Sequence, residues 1–334
     1  MHIAIIGAGL SGLTAANLLK DTVDITLFEK SCNVGGRMAT RYADPYSFDY
    51  GTQFFTAKTH QFQAFIEPML RAGIIKIWGA RFAEINNKKI TYKRQWDQHF
   101  PHYVGTPGMS AIAQYLAQGL NIKLRAQVQC IRKQGNQWHL LDNRGQSLGK
   151  YNWVVLTIPV RQAVAILGPI LSSCQDLVNG EDLANKKMHG CFSLMLGFPT
   201  PLALSFDAAL VRNEDISWIS VNSSKPERGK AFSLLIHSTN AWADQHIDDD
   251  KDLVMQYLCE QVSKIVEYDV SAADLKALYA WRFANIKKQY GKTHLIDGKQ
   301  QLALCGDWFI QGRVEAAFSS GFKMANDLLK IVAT

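Results

Sequence analysis

The chain has 334 residues, 47% of them apolar and 19% charged, with a formal net charge of +7. That length suits about two domains, each with its own core. No stretch reaches the roughly 18 unbroken apolar residues of a membrane span, and the basic residues fall in short pairs such as Lys88–Lys89 and Lys287–Lys288 instead of a long stripe. The six cysteines show no CxxC pair, so neither a zinc site nor a disulfide framework is expected. No nucleic-acid partner, membrane association or metal follows from these patterns.

Taken in chain order, an apolar run over 3–6 leads into Gly7, Gly9 and Gly12, and a helix is expected over 10–20. A second apolar run over 25–28 ends at Glu29. Strand, glycine turn, helix, strand and carboxylate in this order form the βαβ fingerprint of a dinucleotide site. Gly7 permits the tight turn, Gly9 admits a diphosphate close to the backbone, and Gly12 lets helix and strand pack closely. The diphosphate is expected at the helix N-terminus, and the ribose hydroxyls at Glu29. A fingerprint starting at residue 2 leaves no room for a signal peptide, so a cytoplasmic location is expected. Lys30, Gly35, Gly36, Arg37 and Met38 follow almost at once. The glycines bring backbone to the cofactor and Arg37 offers a guanidinium to a diphosphate, which favours a flavin dinucleotide.

Phe48, Asp49, Gly51, Gln53 and Phe54 come next, with Gln53 a candidate contact to flavin or substrate. Residues 103–119 read as a loop entering an amphipathic helix. Short strands over 122–124, 127–132, 138–142 and 153–158 predict a β-meander returning to a parallel sheet, with Thr157 ending beside the nucleotide. Strands over 191–198, 216–221 and 231–238 and a helix over 251–267 predict a mixed-sheet substrate domain, with Asp248 to Asp250 at the helix start. His237 falls on the opposite face from Phe232, Leu234 and Ile236. Tyr279, Trp281 and Phe283 share one face, to line a pocket or pack a core, and Arg282 points the other way. A strand over 302–305, a Gly306–Asp307 turn and a helix from Val314 to 330 repeat the opening logic, with Asp307 available to ribityl hydroxyls.

The motifs GAGLSGL, FEK, GGRMATR, FDYGTQFFTA and CGDWFIQGRVEAAFSSG, together with CFSLMLGF, SWISVNSSKPER, LLIHSTNAW and LYAWRFAN, resemble the renalase-like branch of FAD-dependent amine oxidases. The resemblance implies an α/β fold with a glutathione-reductase-type, Rossmann-like FAD-binding domain built from discontinuous segments. These segments are 1–57, 103–169 and 296–334, and a mixed α+β substrate domain takes 58–102 and 170–295. It implies non-covalent FAD held by Gly7, Gly9, Gly12, Glu29, Arg37, Val128, Gly306 and Asp307, with Val128 on the strand whose backbone meets the adenine. Lys30, Gly36, Met38, Thr157 and Val314 flank these positions and are counted with them.

The activity implied is oxidation of 2- or 6-dihydro-NAD(P) isomers to NAD(P)+, with O2 as acceptor and hydrogen peroxide as product. A dihydropyridine gives up hydride without prior loss of a proton, so the site needs no general base. Substrate contacts would fall on His237, on Asn222 or Ser223, on Trp281 and on Gln53. Two alternatives stay open: an amine oxidase or desaturase of a small apolar substrate, and a flavoprotein without net redox chemistry.

Overall fold

The computed structural model describes residues 1–168, 170 and 183–332. Cys174 lies outside these residues. The chain forms two compact units, one of Met1–Gly36, Ala113–Met188 and Ile286–Thr334, the other of Arg37–Ile112 and His189–Asn285.

The first unit is built on a six-stranded sheet in the order His294–Asp297, Leu302–Cys305, Trp153–Leu156, His2–Ile6, Asp24–Phe28, Ile122–Lys123. All neighbours are parallel except the edge pair His294–Asp297 and Leu302–Cys305. Strands Trp153–Leu156 and Leu302–Cys305 are buried at every position, as parallel strands covered on both faces are. Strands Cys130–Gln134, Gln137–Leu141 and Ser147–Tyr151 form the antiparallel meander. The strand expected over 127–132 starts only at Cys130, which leaves Val128 in the preceding loop. The reason is local: Arg125 adopts a left-handed φ of 54°, and the N–H groups of Arg125 and Ala126 donate to the Ser31 and Glu29 carbonyls.

Helices Leu10–Leu19 and Val314–Val332 approach through small residues. Ser11 Oγ donates to the Ala317 carbonyl at 2.7 Å, and a Cβ on Gly321 would lie 2.5 Å from the Ser11 carbonyl oxygen.

The second unit is a seven-stranded sheet in the order Leu275–Asn285, His189–Phe198, Phe232–Ser238, Ile216–Val221, Ala208–Arg212, Arg81–Asn86, Lys89–Gln95. Only the pair Ala208–Arg212 and Arg81–Asn86 is parallel, so the sheet is mixed. Phe192, Leu194, Leu234 and Ile236 pack on one face with Val254, Leu258 and Val262 of the helix Lys251–Val266. Asp250 caps that helix, accepting from the N–H groups of Asp252 and Leu253 at 2.9 and 3.2 Å. Met195 and Leu235 belong to the other face, with Tyr46 and Phe48. Alternation therefore puts Ser193 and His237, directly opposed in register, on that second face. Arg282 pairs with Asp248 at 2.6 Å. Among the described residues no helix is long and apolar enough to cross a membrane.

Substituting Gly321→Ala forces the two helices of the first unit apart. Urea denaturation should report a loss of about 1–3 kcal/mol.

Candidate cofactor and substrate sites

In the first unit the turn after His2–Ile6 is tightly built. The Thr157 hydroxyl donates toward the Gly7 carbonyl at 2.8 Å. A Cβ on Gly12 would sit 2.1 Å from that same oxygen, so only glycine fits there. Helix Leu10–Leu19 begins at Gly9 with no side chain capping it, and a Cβ on Gly9 would meet nothing within 4 Å. An uncapped helix start with open space beside Gly9 has the geometry and dipole that suit an anion.

Glu29 is buried and accepts from the N–H groups of Ala8 at 3.0 Å and Ser31 at 2.9 Å, one on each carboxylate oxygen. A carboxylate has about four acceptor positions, so each oxygen keeps a lone pair for a hydroxyl donor. Gly35 N–H donates to the Ala8 carbonyl at 2.9 Å, which straps the second glycine pair to the first turn. At the other end of the chain Gly306 N–H donates to Ser320 Oγ at 2.8 Å. Asp307 is buried just after it, and Val314 opens the last helix. Lys30 is exposed. These features fit an adenine dinucleotide whose diphosphate meets backbone N–H groups.

Of the cofactor candidates, Arg37 and Met38 belong to the second unit. The Arg37 guanidinium donates to the Ala284 carbonyl at 3.1 Å. Its own carbonyl accepts from Thr52 N–H at 2.9 Å and would lie 2.0 Å from a Cβ on Gly51. Gly51 thus permits a close approach to protein main chain.

The second unit holds an ionic cluster with no solvent access. Asp49, Lys225 and Arg228 all have side chains 0% exposed. Asp49 Oδ2 accepts from Lys225 Nζ at 3.1 Å and from the Arg228 guanidinium at 2.5 Å. Its Oδ1 accepts from Thr40 Oγ1 at 2.8 Å and Met109 N–H at 2.9 Å. Burial alone would raise the Asp49 pKa, but the two cations overcome it and hold the carboxyl below its ordinary value. Lys225 is pushed down to about 8 by burial, Asp49 only partly restoring it. The two remaining ammonium protons of Lys225 go to Asn222 Oδ1 at 3.0 Å and Gln53 Oε1 at 3.3 Å. Asn222 Nδ2 donates to the Ser47 carbonyl at 2.8 Å, and Ser220 Oγ donates to Gln53 Oε1 at 2.9 Å.

Between Asp49 and Gly51, the carbonyl of Tyr50 collects donors from three adjacent strands. Ser193 Oγ lies at 2.6 Å, Trp281 Nε1 at 2.9 Å and the His237 ring at 3.4 Å. That contact makes His237 Nε2 the protonated ring nitrogen. Burial pushes His237 down to about 4, with the Lys225 charge adding to the effect. The Tyr50 ring stacks on Trp281 at 5.2 Å and meets Tyr279 edge-on at 5.0 Å. Tyr279, 42% exposed, contacts Trp281 at 4.6 Å.

The four candidate substrate residues are therefore brought together, but in two ways. His237 and Trp281 meet at the Tyr50 carbonyl, while Asn222 and Gln53 are buried on Lys225. Asn222 is 0% exposed, so its expected place against substrate gives way to an internal one. Sequence reasoning missed Lys225 and Arg228, which sit in a Ser- and Pro-containing loop that reads as solvated surface. The available signal was Asp49, a carboxylate between two aromatic residues. The exposed Cys32 and buried Cys305 flank the cofactor motifs, and burial pushes the Cys305 thiol well above its ordinary range.

Substituting Asp49→Asn leaves two buried cations without a counter-charge and should cost about 3–5 kcal/mol in urea denaturation. Lys225→Met leaves the balanced Asp49–Arg228 pair and should not lower the midpoint at pH 7. The folded pKa of Lys225, about 8, lies below its ordinary 10.5. Between these values the unfolded chain binds the extra proton, so wild-type stability should rise relative to Lys225→Met over that range.

Residues 5–68 match the NAD(P)-binding Rossmann-like domain and residues 77–329 match the flavin containing amine oxidoreductase family. Mouse renalase is 23% identical over 355 residues, covering 99% of each chain. Among solved structures, cyclohexylamine oxidase from Brevibacterium oxydans superposes with a TM-score of 0.72 at 13% identity, covering 100% of this chain and 99% of that one. Putrescine oxidase bound to putrescine gives 0.65 at 12%, covering 99% of each. A Rossmann-like nucleotide domain and an amine-oxidase fold with mixed sheets follow from these matches. The chain belongs to the flavin containing amine oxidoreductase family and is an FAD-dependent oxidoreductase.

Proposed function

We propose that the protein oxidises dihydronicotinamide dinucleotide isomers, the 2- or 6-dihydro forms of NAD(P), to NAD(P)+ with O2 as terminal acceptor. The observation that carries this reading is the state of His237. Its ring is tied to the Tyr50 carbonyl, and burial pushes its pKa down to about 4, which leaves it neutral and a poor proton acceptor at pH 7. A donor whose own ring nitrogen drives hydride loss suits such a site, whereas an alkylammonium must first shed a proton. The whole-length likeness to mouse renalase supports the same branch of the family.

FAD, when bound, supplies the two-electron acceptor. The first unit would hold it through Gly7, Gly9 and Gly12 at the diphosphate, Glu29 at the adenosine ribose, the loop at Val128 near the adenine, and Asp307 at the ribityl chain. Thr157, Lys30, Gly36, Gly306 and Val314 would shape that cradle. Tyr50, Tyr279 and Trp281 would provide an aromatic wall that orients a planar ring and excludes water. Gln53 and Asn222 act as positioning residues that fix residues 49–53.

The aromatic wall also suits a small apolar amine, which is the second reading. Anaerobic addition of 6-dihydro-NAD(P) should bleach the flavin band within seconds, while amines leave it unchanged; bleaching by amines alone would reverse the assignment. Because His237 stays neutral well below its ordinary 6.5 and Lys225 stays charged below about 8, the bleaching rate should be flat from pH 5 to 7. A bend near 6.5 that vanishes in His237→Gln would refute this account of the residue. Trp281→Phe removes one hydrogen bond to the Tyr50 carbonyl. At about 1 kcal/mol that should raise KM about fivefold.

A further inference from the structure

The Asp49–Lys225–Arg228 cluster does not balance. One carboxylate faces two cations, all three side chains are without solvent exposure, and among the described residues no second carboxylate bonds either cation. Arg228 also has a buried Nε with no hydrogen-bond partner among the described residues. Its other nitrogens go to Asp49 and to the Gly105 and Pro226 carbonyls. The balanced pair is thus Asp49 with Arg228, joined by the shorter contact, and the unmatched charge is that of Lys225.

A buried unit charge is expensive to desolvate and acts over long range in a low dielectric. Lys225 donates to Asp49, Gln53 and Asn222 and lies over the Trp78 ring at 5.3 Å, so Asp49 is its one charged partner among the described residues. Its charge therefore projects onto the residues it holds. One of these residues, Asp49, adjoins Tyr50, whose carbonyl gathers His237 and Trp281.

We propose that Lys225 determines charge specificity: its unmatched buried cation makes the site admit neutral or electron-rich donor rings and reject cationic ligands. Lys225 is a positioning and specificity residue that need not touch the reacting atoms. The proposal rests on the reading that the donor ring is bound beside Tyr50, His237 and Trp281. It deepens that reading in two respects. Protonated amines are excluded by charge and not only by the lack of a base. A dihydropyridine enters neutral and leaves as a pyridinium, so the same charge that tolerates the substrate disfavours retention of the product.

The test uses the FAD-loaded enzyme at pH 7 and two planar probes of matched size, the 1-methylnicotinamide cation and the neutral 1-methyl-2-pyridone-5-carboxamide. Binding is read from the perturbation of the flavin visible band, which requires no turnover. Wild type should bind the neutral probe at least tenfold more tightly than the cation. In Lys225→Met and Lys225→Gln the ratio should fall toward one through tighter binding of the cation, and Lys225→Arg should restore it. Equal binding of the two probes by wild type, binding of neither, or an unchanged ratio in a folded neutral variant overturns the proposal. Bleaching by dihydro-NAD(P) isomers is scored separately on wild type. Bleaching without a probe ratio sinks this inference alone, and a probe ratio without bleaching sinks the assigned substrate alone.

Discussion

The second unit is organised around one buried carboxylate. An ion of that size carries a desolvation cost of several kcal/mol, which is offset only when its acceptor positions are filled by well-placed donors. Asp49 meets that condition with Thr40 and Met109 N–H on one oxygen and Lys225 and Arg228 on the other. Once it is fixed, the main chain from Asp49 to Gln53 has little freedom. Gly51 is wedged against the Arg37 carbonyl, and the Tyr50 carbonyl faces three strands of the sheet at once.

The two units are organised by different physics. The cradle of the first unit depends on backbone: glycine turns, a helix start and one carboxylate. The second unit depends on side chains from several strands whose donors are largely satisfied by protein. A residue such as Asn222 can therefore be essential to a site's shape while meeting no ligand, because each of its polar atoms has a protein partner.

That difference explains what could be read from the sequence. The cofactor turn is local in the chain, and each glycine has a steric reason visible in its spacing. The expected strands and helices of the first unit fall within a few residues of where the fold places them, except near Val128. There a left-handed Arg125 and two hydrogen bonds to 29–31 override the apolar alternation. His237 and Trp281 could be placed on a face by period-2 alternation alone. Lys225 and Arg228 could not, because charged residues in a Ser–Pro loop have no local pattern that marks burial. Their role exists only when residue 49 arrives from nearly 180 positions away. The hairpin Arg81–Asn86 and Lys89–Gln95 was legible only in part: Ile90 and Tyr92 alternate with polar residues in its second strand, yet that strand is exposed at every position.

The order of strands in the first sheet carries a consequence for how the protein is made. His2–Ile6 lies beside Trp153–Leu156, which in turn lies beside Leu302–Cys305. The strand His2–Ile6 thus emerges from the ribosome about 150 residues before its inner neighbour, and the sheet closes only once Leu302–Cys305 has emerged. Contacts of such sequence separation are slow to form because loop closure precedes any gain from pairing. During that interval an apolar strand edge stays open, which exposes the nascent chain to mispairing. A nucleotide that engages the early turn between His2–Ile6 and Leu10–Leu19 would favour native over misregistered pairings, so that cofactor supply during translation becomes a determinant of yield.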